Sequence, residues 1–285
     1  VARALSNREM DSVVVFAANP SAFSTSETNH GVEAAARKRR FLLNIVSLDE
    51  SDMDSVKARV RMGLSIRPAG VIVYEYDRAG IAALEYIPKD MPMVVVGGSF
   101  GDGEYQVINA ERDGGRWMTM HLLDLGHRTV FHVGRPEGPT DNTRTNGWRD
   151  ALKERGVTAP DPIIVPDDDL EESVKAGRTL GRRGDVTAIF AGNDETAIAV
   201  IRGLREVGRR VPADVSVVGF DDRNFGAMWN PALTSYTQNF LDMGERSFRM
   251  LFEQIQAKRA GDDAPPSQVE VVQGKPCLRA SERAY

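Results

Sequence analysis

Short, continuous apolar runs recur along the chain, and a longer stretch with helical periodicity follows most of them. Runs without a polar residue at every second position are typical of parallel strands whose sheet is covered on both faces. None of the runs approaches the ~20 apolar residues that span a bilayer, so no membrane partner is predicted. The first runs lie at 12–17, 42–48, 70–74 and 93–96.

The alternation of strand and helix begins again near residue 112. The second series has strands at 129–133, 163–165, 187–191 and 215–220, with helices between them. A chain of 285 residues is long enough for two sheets with separate cores. We therefore predict an α/β protein of two doubly wound parallel-sheet lobes. Ligands of such sheets bind beyond the carboxyl ends of the strands, which predicts a ligand cleft between the lobes.

The composition argues against several classes of protein. The net charge of −5 does not favour a nucleic-acid-binding surface, so any contact with DNA needs a small local element or a part outside this chain. The single cysteine, Cys277, allows no internal disulfide, and the four histidines lack metal-binding spacing. We find no nucleophile elbow, phosphate-binding loop or catalytic carboxylate pair, and so predict neither an enzyme nor a cofactor or metal. The first residues lack the apolar core of a signal peptide, which favours a cytoplasmic location.

Six short motifs follow one another along the chain, and their order resembles the LacI/GalR family of transcription regulators. One motif alone is weak, but six in register across both halves cover essentially the whole sequence. The resemblance implies a periplasmic-binding-protein-like (type I) core that binds a small effector. The motifs are VARAL at 1–5, HLLDLGHR at 121–128, RTNGW at 144–148, AGND at 191–194, VPADVSVVGFDD at 211–222, and PALT at 231–234 followed by Gln238.

The resemblance also implies a domain organisation and a mode of DNA binding. Residues 1–10 correspond to the hinge segment, 11–136 with 239–265 to the N-terminal lobe, and 137–238 with 266–285 to the C-terminal lobe. The helix-turn-helix headpiece that precedes the hinge is absent from this sequence, so operator DNA is expected to bind through a part outside it. Leu5 matches the hinge leucine that wedges into the minor groove, and Arg3 is expected near phosphates. A homodimer is implied as well.

The resemblance further implies which side chains contact the effector. Arg144 offers a planar fork of donors for vicinal hydroxyls or a carboxylate, and Asp221 is an acceptor at a strand end. Asn193 can donate and accept, or it can cap a helix instead. Phe240 can stack on the apolar face of a sugar or belong to the core. The remaining candidates are Ser21, Phe23, Thr140, Asp169 and Trp229.

Two departures from the family pattern bear on the ligand. The usual V-x-D-N before the first crossover helix is replaced by the sequence INAE at 108–111, and an aromatic position after the acidic turn falls on Asp169 or Leu170. The favoured interpretation is a ligand-responsive repressor core that senses a small polar ligand, with a sugar as the first choice. The alternatives are a periplasmic-type sugar-binding protein for transport or chemotaxis, and a sugar- or nucleotide-modifying enzyme.

Overall fold

A computed structural model describes residues 11–98, 105–136, 138, 140–166 and 169–285. The described residues form two compact units, each assembled from discontinuous segments. The first unit contains the chain up to Asn109 together with Asn239–Val272, and the second contains Ala110–Gln238 together with Gln273–Tyr285.

The elements alternate between strand and helix as the sequence pattern predicts. In chain order they are β1 (Asp11–Ala17), α1 (Phe23–Lys38), β2 (Phe41–Ser47), α2 (Met53–Ser65), β3 (Gly70–Glu75), α3 (Arg78–Leu84), β4 (Met93–Gly97), β5 (Gln106–Asn109), α4 (Glu111–Asp124), β6 (Phe131–Gly134), α5 (Arg144–Glu154), β7 (Ile163–Ile164), α6 (Leu170–Gly181), β8 (Ala188–Ala191), α7 (Asp194–Glu206), β9 (Ser216–Val218), α8 (Asn224–Met228), β10 (Ser235–Thr237), α9 (Phe240–Ala260), β11 (Val269–Val272) and β12 (Lys275–Cys277).

The first unit is built on a six-stranded parallel sheet in the order β11-β5-β4-β3-β1-β2. Strand β1 shows how the sheet is covered on both faces. Val13 and Val15 pack with α1 and α9, whereas Val14 and Phe16 pack with α2 and α3. Because successive side chains of a strand point to opposite faces, a continuous apolar run supplies both cores.

The second unit repeats this design on a smaller scale. Its main sheet has four parallel strands in the order β7-β6-β8-β9, and β10 and β12 form a separate antiparallel pair. In β8, Ile189 and Ala191 pack with α6 and α7, whereas Ala188 and Phe190 pack with α4 and α5. Trp148 of α5 is fully buried in the second of these cores and donates a hydrogen bond to the carbonyl oxygen of Val130 at 2.8 Å.

Three helix pairs approach so closely that glycines face backbone atoms across each contact. A Cβ placed on Gly31 of α1 would lie 2.1 Å from the Leu241 carbonyl oxygen of α9, and one on Gly244 of α9 would lie 2.1 Å from the Thr28 carbonyl oxygen of α1. The same reciprocal arrangement joins α4 to α5 through Gly115 and Gly147, and α6 to α7 through Gly177 and Gly203. Glycine is therefore required at these positions to bring the backbones together.

The unit boundaries correct the domain limits predicted from the sequence. Residues 110–136, assigned to the N-terminal lobe, lie in the second unit because α4 packs on α5 and β6 pairs with β7 and β8. Residues 266–272, assigned to the C-terminal lobe, lie in the first unit because β11 pairs with β5. Among the helices of the described ranges, none is both long enough and apolar enough to cross a membrane.

Candidate functional site

The candidate site is a cluster of charged side chains around Arg144, the first residue of α5. Thr143 caps this helix, since its side chain accepts a hydrogen bond from the Asn146 amide at 3.1 Å. The Arg144 side chain is only 9% exposed, and its guanidinium carbon lies 4.2 Å from the centre of the Phe220 ring. A buried cation on an aromatic face requires anionic or carbonyl partners to replace its hydration.

Those partners come from three different elements of the second unit. Arg144 Nε and Nη2 donate to Oε2 and Oε1 of Glu111, both at 3.2 Å. Nη1 donates to the carbonyl oxygen of Gly192 at 2.5 Å and to Asp221 Oδ2 at 3.4 Å, and Nη2 lies 2.9 Å from Asp221 Oδ1. Burial opposes the charge of the guanidinium, but Asp221 and Glu111 outweigh it and raise the pKa of Arg144 above its ordinary value, despite the nearby cation Arg135.

Asp221 is held in place by an unusual turn after β9. Asp221 and Asp222 both have left-handed backbone conformations, with φ of 96° and 53°. The Asp221 amide donates to the carbonyl oxygen of Tyr236 at 2.9 Å, and its carboxylate accepts a hydrogen bond from Gln238 Nε2 at 2.8 Å. Consecutive non-glycine residues in this region are uncommon, and they persist where surrounding contacts enforce them.

Asp222 supplies much of that enforcement. Its carboxylate accepts hydrogen bonds from Thr237 Oγ1 at 2.7 Å, from Cys277 Sγ at 3.2 Å and from Arg279 Nη2 at 2.5 Å. Burial alone would raise the pKa of Asp222, but these donors hold it below its ordinary value. Asp222 is therefore a structural residue of the turn, and Asp221 is the residue directed at Arg144.

Asn193 and Asp194 begin α7 beside this cluster. Asn193 Oδ1 accepts a hydrogen bond from the Thr196 amide at 2.8 Å, so Asn193 is the N-cap of α7. Asp194 is fully buried, and its carboxylate accepts hydrogen bonds from Ser235 Oγ and from the Arg223 amide, both at 2.6 Å. Burial raises the pKa of Asp194 to about 7, with these two hydrogen bonds acting in the opposite direction and Asp221 adding to the rise.

Replacing Asp194 with asparagine is expected to remove a pH dependence of stability. The pKa of this acid rises from 3.8 to about 7 on folding, so between these values the folded chain keeps a proton that the unfolded chain has lost. The proton on Asp194 therefore stabilises the folded state at low pH, by on the order of 4 kcal/mol in total. This stabilisation is lost as the pH rises from about 4 to 7. Asparagine resembles the protonated acid, with one acceptor for the Arg223 amide and one donor for the Ser235 hydroxyl.

The measurement is the difference in free energy of unfolding between wild type and Asp194→Asn at pH 5 and pH 8. We expect the stability of the variant relative to wild type to increase by roughly 3 kcal/mol from pH 5 to pH 8, because much of the contribution of the proton is still present at pH 5 and none remains at pH 8. Buried His132, whose pKa burial lowers to about 4, is common to both proteins and cancels in the difference. A difference that stays constant between the two pH values would contradict the assignment.

The other predicted residues of the second unit lie on its loops and helix ends. Thr140 Oγ1 accepts a hydrogen bond from the Asn142 amide at 3.1 Å, which orders the loop before α5. Asp169 is the N-cap of α6 and accepts from the Glu172 amide at 3.0 Å. Trp229 ends α8 and is 41% exposed. The ligand roles of these three residues stay predictions.

Three predicted ligand residues belong to the first unit. Phe240 is 3% exposed and belongs to the core, where its ring meets that of Phe23 edge to face with centroids 5.8 Å apart. Ser21 is exposed and donates to Asn19 Oδ1 at 2.8 Å. Of the two alternatives stated for Phe240, the structure shows core packing.

The predicted hinge residues Arg3 and Leu5 lie outside the described residues.

Sequence reasoning missed two members of the cluster. Glu111 replaces the usual asparagine of the V-x-D-N pattern, and the sequence alone shows this only as a departure from the pattern. Gln238 was noted as part of a motif but not as a site residue. The only signal for Glu111 in the sequence was a carboxylate at the start of a helix. Such a carboxylate more often stabilises the helix dipole than takes part in a ligand site. Within the described ranges, no group of three or more His, Cys, Asp or Glu side chains is placed to hold a metal ion.

Comparison with known proteins agrees with this architecture. A family model of a periplasmic binding protein-like domain matches residues 119–281. The chain is 30% identical over 266 residues to the HTH-type transcriptional repressor PurR of Yersinia enterocolitica, a match that covers 91% of this chain and 77% of the relative. The PurR of Proteus mirabilis is 31% identical with the same coverage.

Solved structures show the same similarity. The complex of the transcriptional regulator CelR with cellobiose is 26% identical, with a TM-score of 0.80 over 96% of this chain and 85% of that one. The Lac repressor dimer bound to operator and the anti-inducer ONPF is 22% identical, with a TM-score of 0.82 over 99% and 98% of the two chains.

The two α/β units and the buried charged cluster define a ligand-responsive domain of the periplasmic-binding-protein-like class. The chain belongs to the LacI/GalR family of transcriptional regulators, of which it is the effector-binding core. The predicted family, fold class and regulatory function are thus confirmed. Because the relatives are transcriptional repressors, the chain is not an enzyme, and the transport-type alternative is set aside.

Proposed function

We propose that this core senses a small, hydroxyl-rich effector, a sugar, at the Arg144 cluster of the second unit. The observation that carries the proposal is the convergence of three groups on Arg144 at the start of α5: Glu111 at the start of α4, the Gly192 carbonyl oxygen and Asp221. Gly192 and Asp221 follow the carboxyl ends of β8 and β9. Such sheet edges are where α/β proteins bind ligands, and costly buried charges gather at functional sites more often than elsewhere. The similarity to a regulator solved with cellobiose supports a sugar as the ligand class.

The proposed effector acts by shifting the balance between a DNA-binding and a non-binding state of the regulator. A ligand can do this only by binding one state more tightly than the other. We infer that the regulator works in the cytoplasm as a homodimer and contacts operator DNA through a headpiece outside this chain, with Leu5 and Arg3 next to the DNA. Leu5→Ala in a protein that carries the headpiece is expected to weaken operator binding in a gel-shift titration, and unchanged affinity would contradict this role.

A thermal-shift screen of monosaccharides, disaccharides, purines and sugar phosphates tests the sensing function. A ligand that binds only the folded state at 100 times its Kd stabilises it by about 2.7 kcal/mol, which raises the melting temperature by several degrees. We expect at least one neutral sugar to do so. All three tryptophans, Trp117, Trp148 and Trp229, lie in the second unit, so their fluorescence reports on the unit that holds the cluster.

Two aspartate variants make the screen specific to the cluster. Asp221→Asn should abolish the shift, measured against the melting temperature of the variant itself. Asp185→Asn changes the same charge in an exposed pair with Arg183 and should keep the shift. A folded wild-type protein that no sugar stabilises at millimolar concentration would refute the proposal.

A further inference from the structure

We propose, on the basis of the sensing function proposed above, that Glu111 determines the chemical class of the effector. It occupies the donor fork of Arg144 and thereby directs the site to neutral hydroxyl-rich ligands and away from carboxylates and phosphates. Glu111 is thus a specificity-determining residue, and Arg144 is the positioning residue that holds Glu111 and Asp221.

The donor fork of Arg144 is already occupied within the chain. An arginine with a free fork is a good receptor for planar anions, because two parallel N–H groups match two carboxylate or phosphate oxygens. In this chain the matching edge, formed by Nε and Nη2 of Arg144, is taken by the two oxygens of Glu111 at 3.2 Å each. The remaining nitrogen, Nη1, donates to Gly192 and Asp221. Every nitrogen of the guanidinium group therefore already has an acceptor within the chain.

Glu111 is the most exposed of the three charged side chains in the cluster. The Arg144 side chain is 9% exposed and that of Asp221 is 11% exposed, whereas that of Glu111 is 28% exposed. A ligand that approaches the cluster therefore meets the carboxylate of Glu111 before it meets the guanidinium. An anion would face this carboxylate at close range and would have to displace it to reach Arg144.

The Glu111 carboxylate requires a ligand that donates hydrogen bonds. An ionised carboxylate only accepts hydrogen bonds, and its two oxygens offer about four lone-pair sites. Arg144 uses one site on each Glu111 oxygen, so further acceptor sites of this part-exposed carboxylate remain for a ligand that donates. Hydroxyl groups meet this requirement.

Matched ligand pairs and two glutamate variants test the inference. Glucose and glucuronate differ only at C6, which is a hydroxymethyl group in glucose and a carboxylate in glucuronate. Galactose and galacturonate form a second pair, and inorganic phosphate is the simplest anion probe. Binding of each is measured by calorimetry at pH 7.5 and low salt for wild type, Glu111→Ala and Glu154→Ala. Glu154 forms a two-point pair with Arg116 on the exposed surface of the same unit, so its removal frees an arginine fork away from the cluster.

We expect wild type to bind none of the anions measurably. Glu111→Ala should bind glucuronate, galacturonate or phosphate at least about tenfold more tightly than wild type, because two donors of Arg144 are released. Glu154→Ala should behave as wild type. A merely structural role of Glu111 would weaken binding generally and would not create affinity for anions. Should Glu111→Ala not fold, Glu111→Gln, which keeps the volume and removes the charge, is expected to change selectivity in the same direction.

The possible failures are distinguishable. The inference is overturned if wild type binds the anions as tightly as the variant, if neither Glu111 variant gains anion binding, or if Glu154→Ala gains it equally. Failure of neutral sugars to bind wild type would instead refute the proposed sugar-sensing function, and the anion measurements on the variants would still decide the role of Glu111.

Discussion

Replacing Arg144 with alanine is expected to lower the free energy of unfolding of the second unit by about 3–5 kcal/mol, because removal of one partner leaves buried charges uncompensated. The substitution removes the hydrogen bonds that the guanidinium donates to the carboxylates of Asp221 and Glu111 and to the carbonyl oxygen of Gly192. It also removes the contact of the guanidinium with the Phe220 ring. The same variant is expected to lose binding of any sugar that stabilises wild type, because Glu111 loses both of its hydrogen bonds and Asp221 keeps only the one from Gln238.

Urea unfolding followed by tryptophan fluorescence measures this loss. Arg116→Ala is the control, because Arg116 pairs with Glu154 through two hydrogen bonds at the exposed surface of the same unit. Exposed pairs contribute about 0–1 kcal/mol, so this variant should stay close to wild type. Arg144→Lys keeps the charge but not the fork and should fall between the two. Equal destabilisation by Arg144→Ala and Arg116→Ala would show that burial of the cluster has no energetic consequence.

The alternation of apolar runs and helical stretches along the sequence was sufficient to predict the α/β class and the two sheets. The runs of β1, β3 and β4 are apolar on both faces, and such runs have few alternatives to a covered parallel strand. The sequence did not show to which unit every helix and strand belongs. Nothing in the periodicity of α4 indicates that it packs on α5 rather than on the preceding sheet, and the short β11 gives no signal that it joins β5.

The site was predictable only in part, for a related reason. Arg144 and Asp221 belong to motifs with a fixed order along the chain, so they could be named before their contact was known. Glu111 could not, because its partner lies 33 positions away and its role depends on the distance between two helices. Asn193 was predicted either to contact the ligand or to cap a helix, and in the structure it caps α7. The neighbouring residue, Gly192, accepts a hydrogen bond from Arg144 through its carbonyl oxygen.

The distance between α4 and α5 leads to the second large effect, that of Gly147→Ala. A Cβ on Gly147 would lie 2.0 Å from the carbonyl oxygen of Arg112 and 2.6 Å from the amide nitrogen of Arg116, both backbone atoms of α4. Such contacts cannot be relieved by turning a side chain, so one helix must move. Alanine is intrinsically better than glycine in a helix by about 0.5–1 kcal/mol. Overpacking typically costs about 1–3 kcal/mol, and contacts with backbone atoms place Gly147→Ala at the upper end of this range, so destabilisation should prevail.

The consequence for the site follows from where these helices start. Glu111 begins α4 and Arg144 begins α5, and Gly115 and Gly147 lie one turn further along each helix. A shift that admits one methyl group separates the two helix starts and lengthens the 3.2 Å contacts between Glu111 and Arg144. Gly147→Ala should therefore lose both stability in urea and sugar binding, whereas Gly184→Ala, at an exposed position with open space around it, should stay within about 0.5 kcal/mol of wild type. If Gly147→Ala binds sugar as wild type does despite its lower stability, the helix spacing does not set the geometry of the cluster.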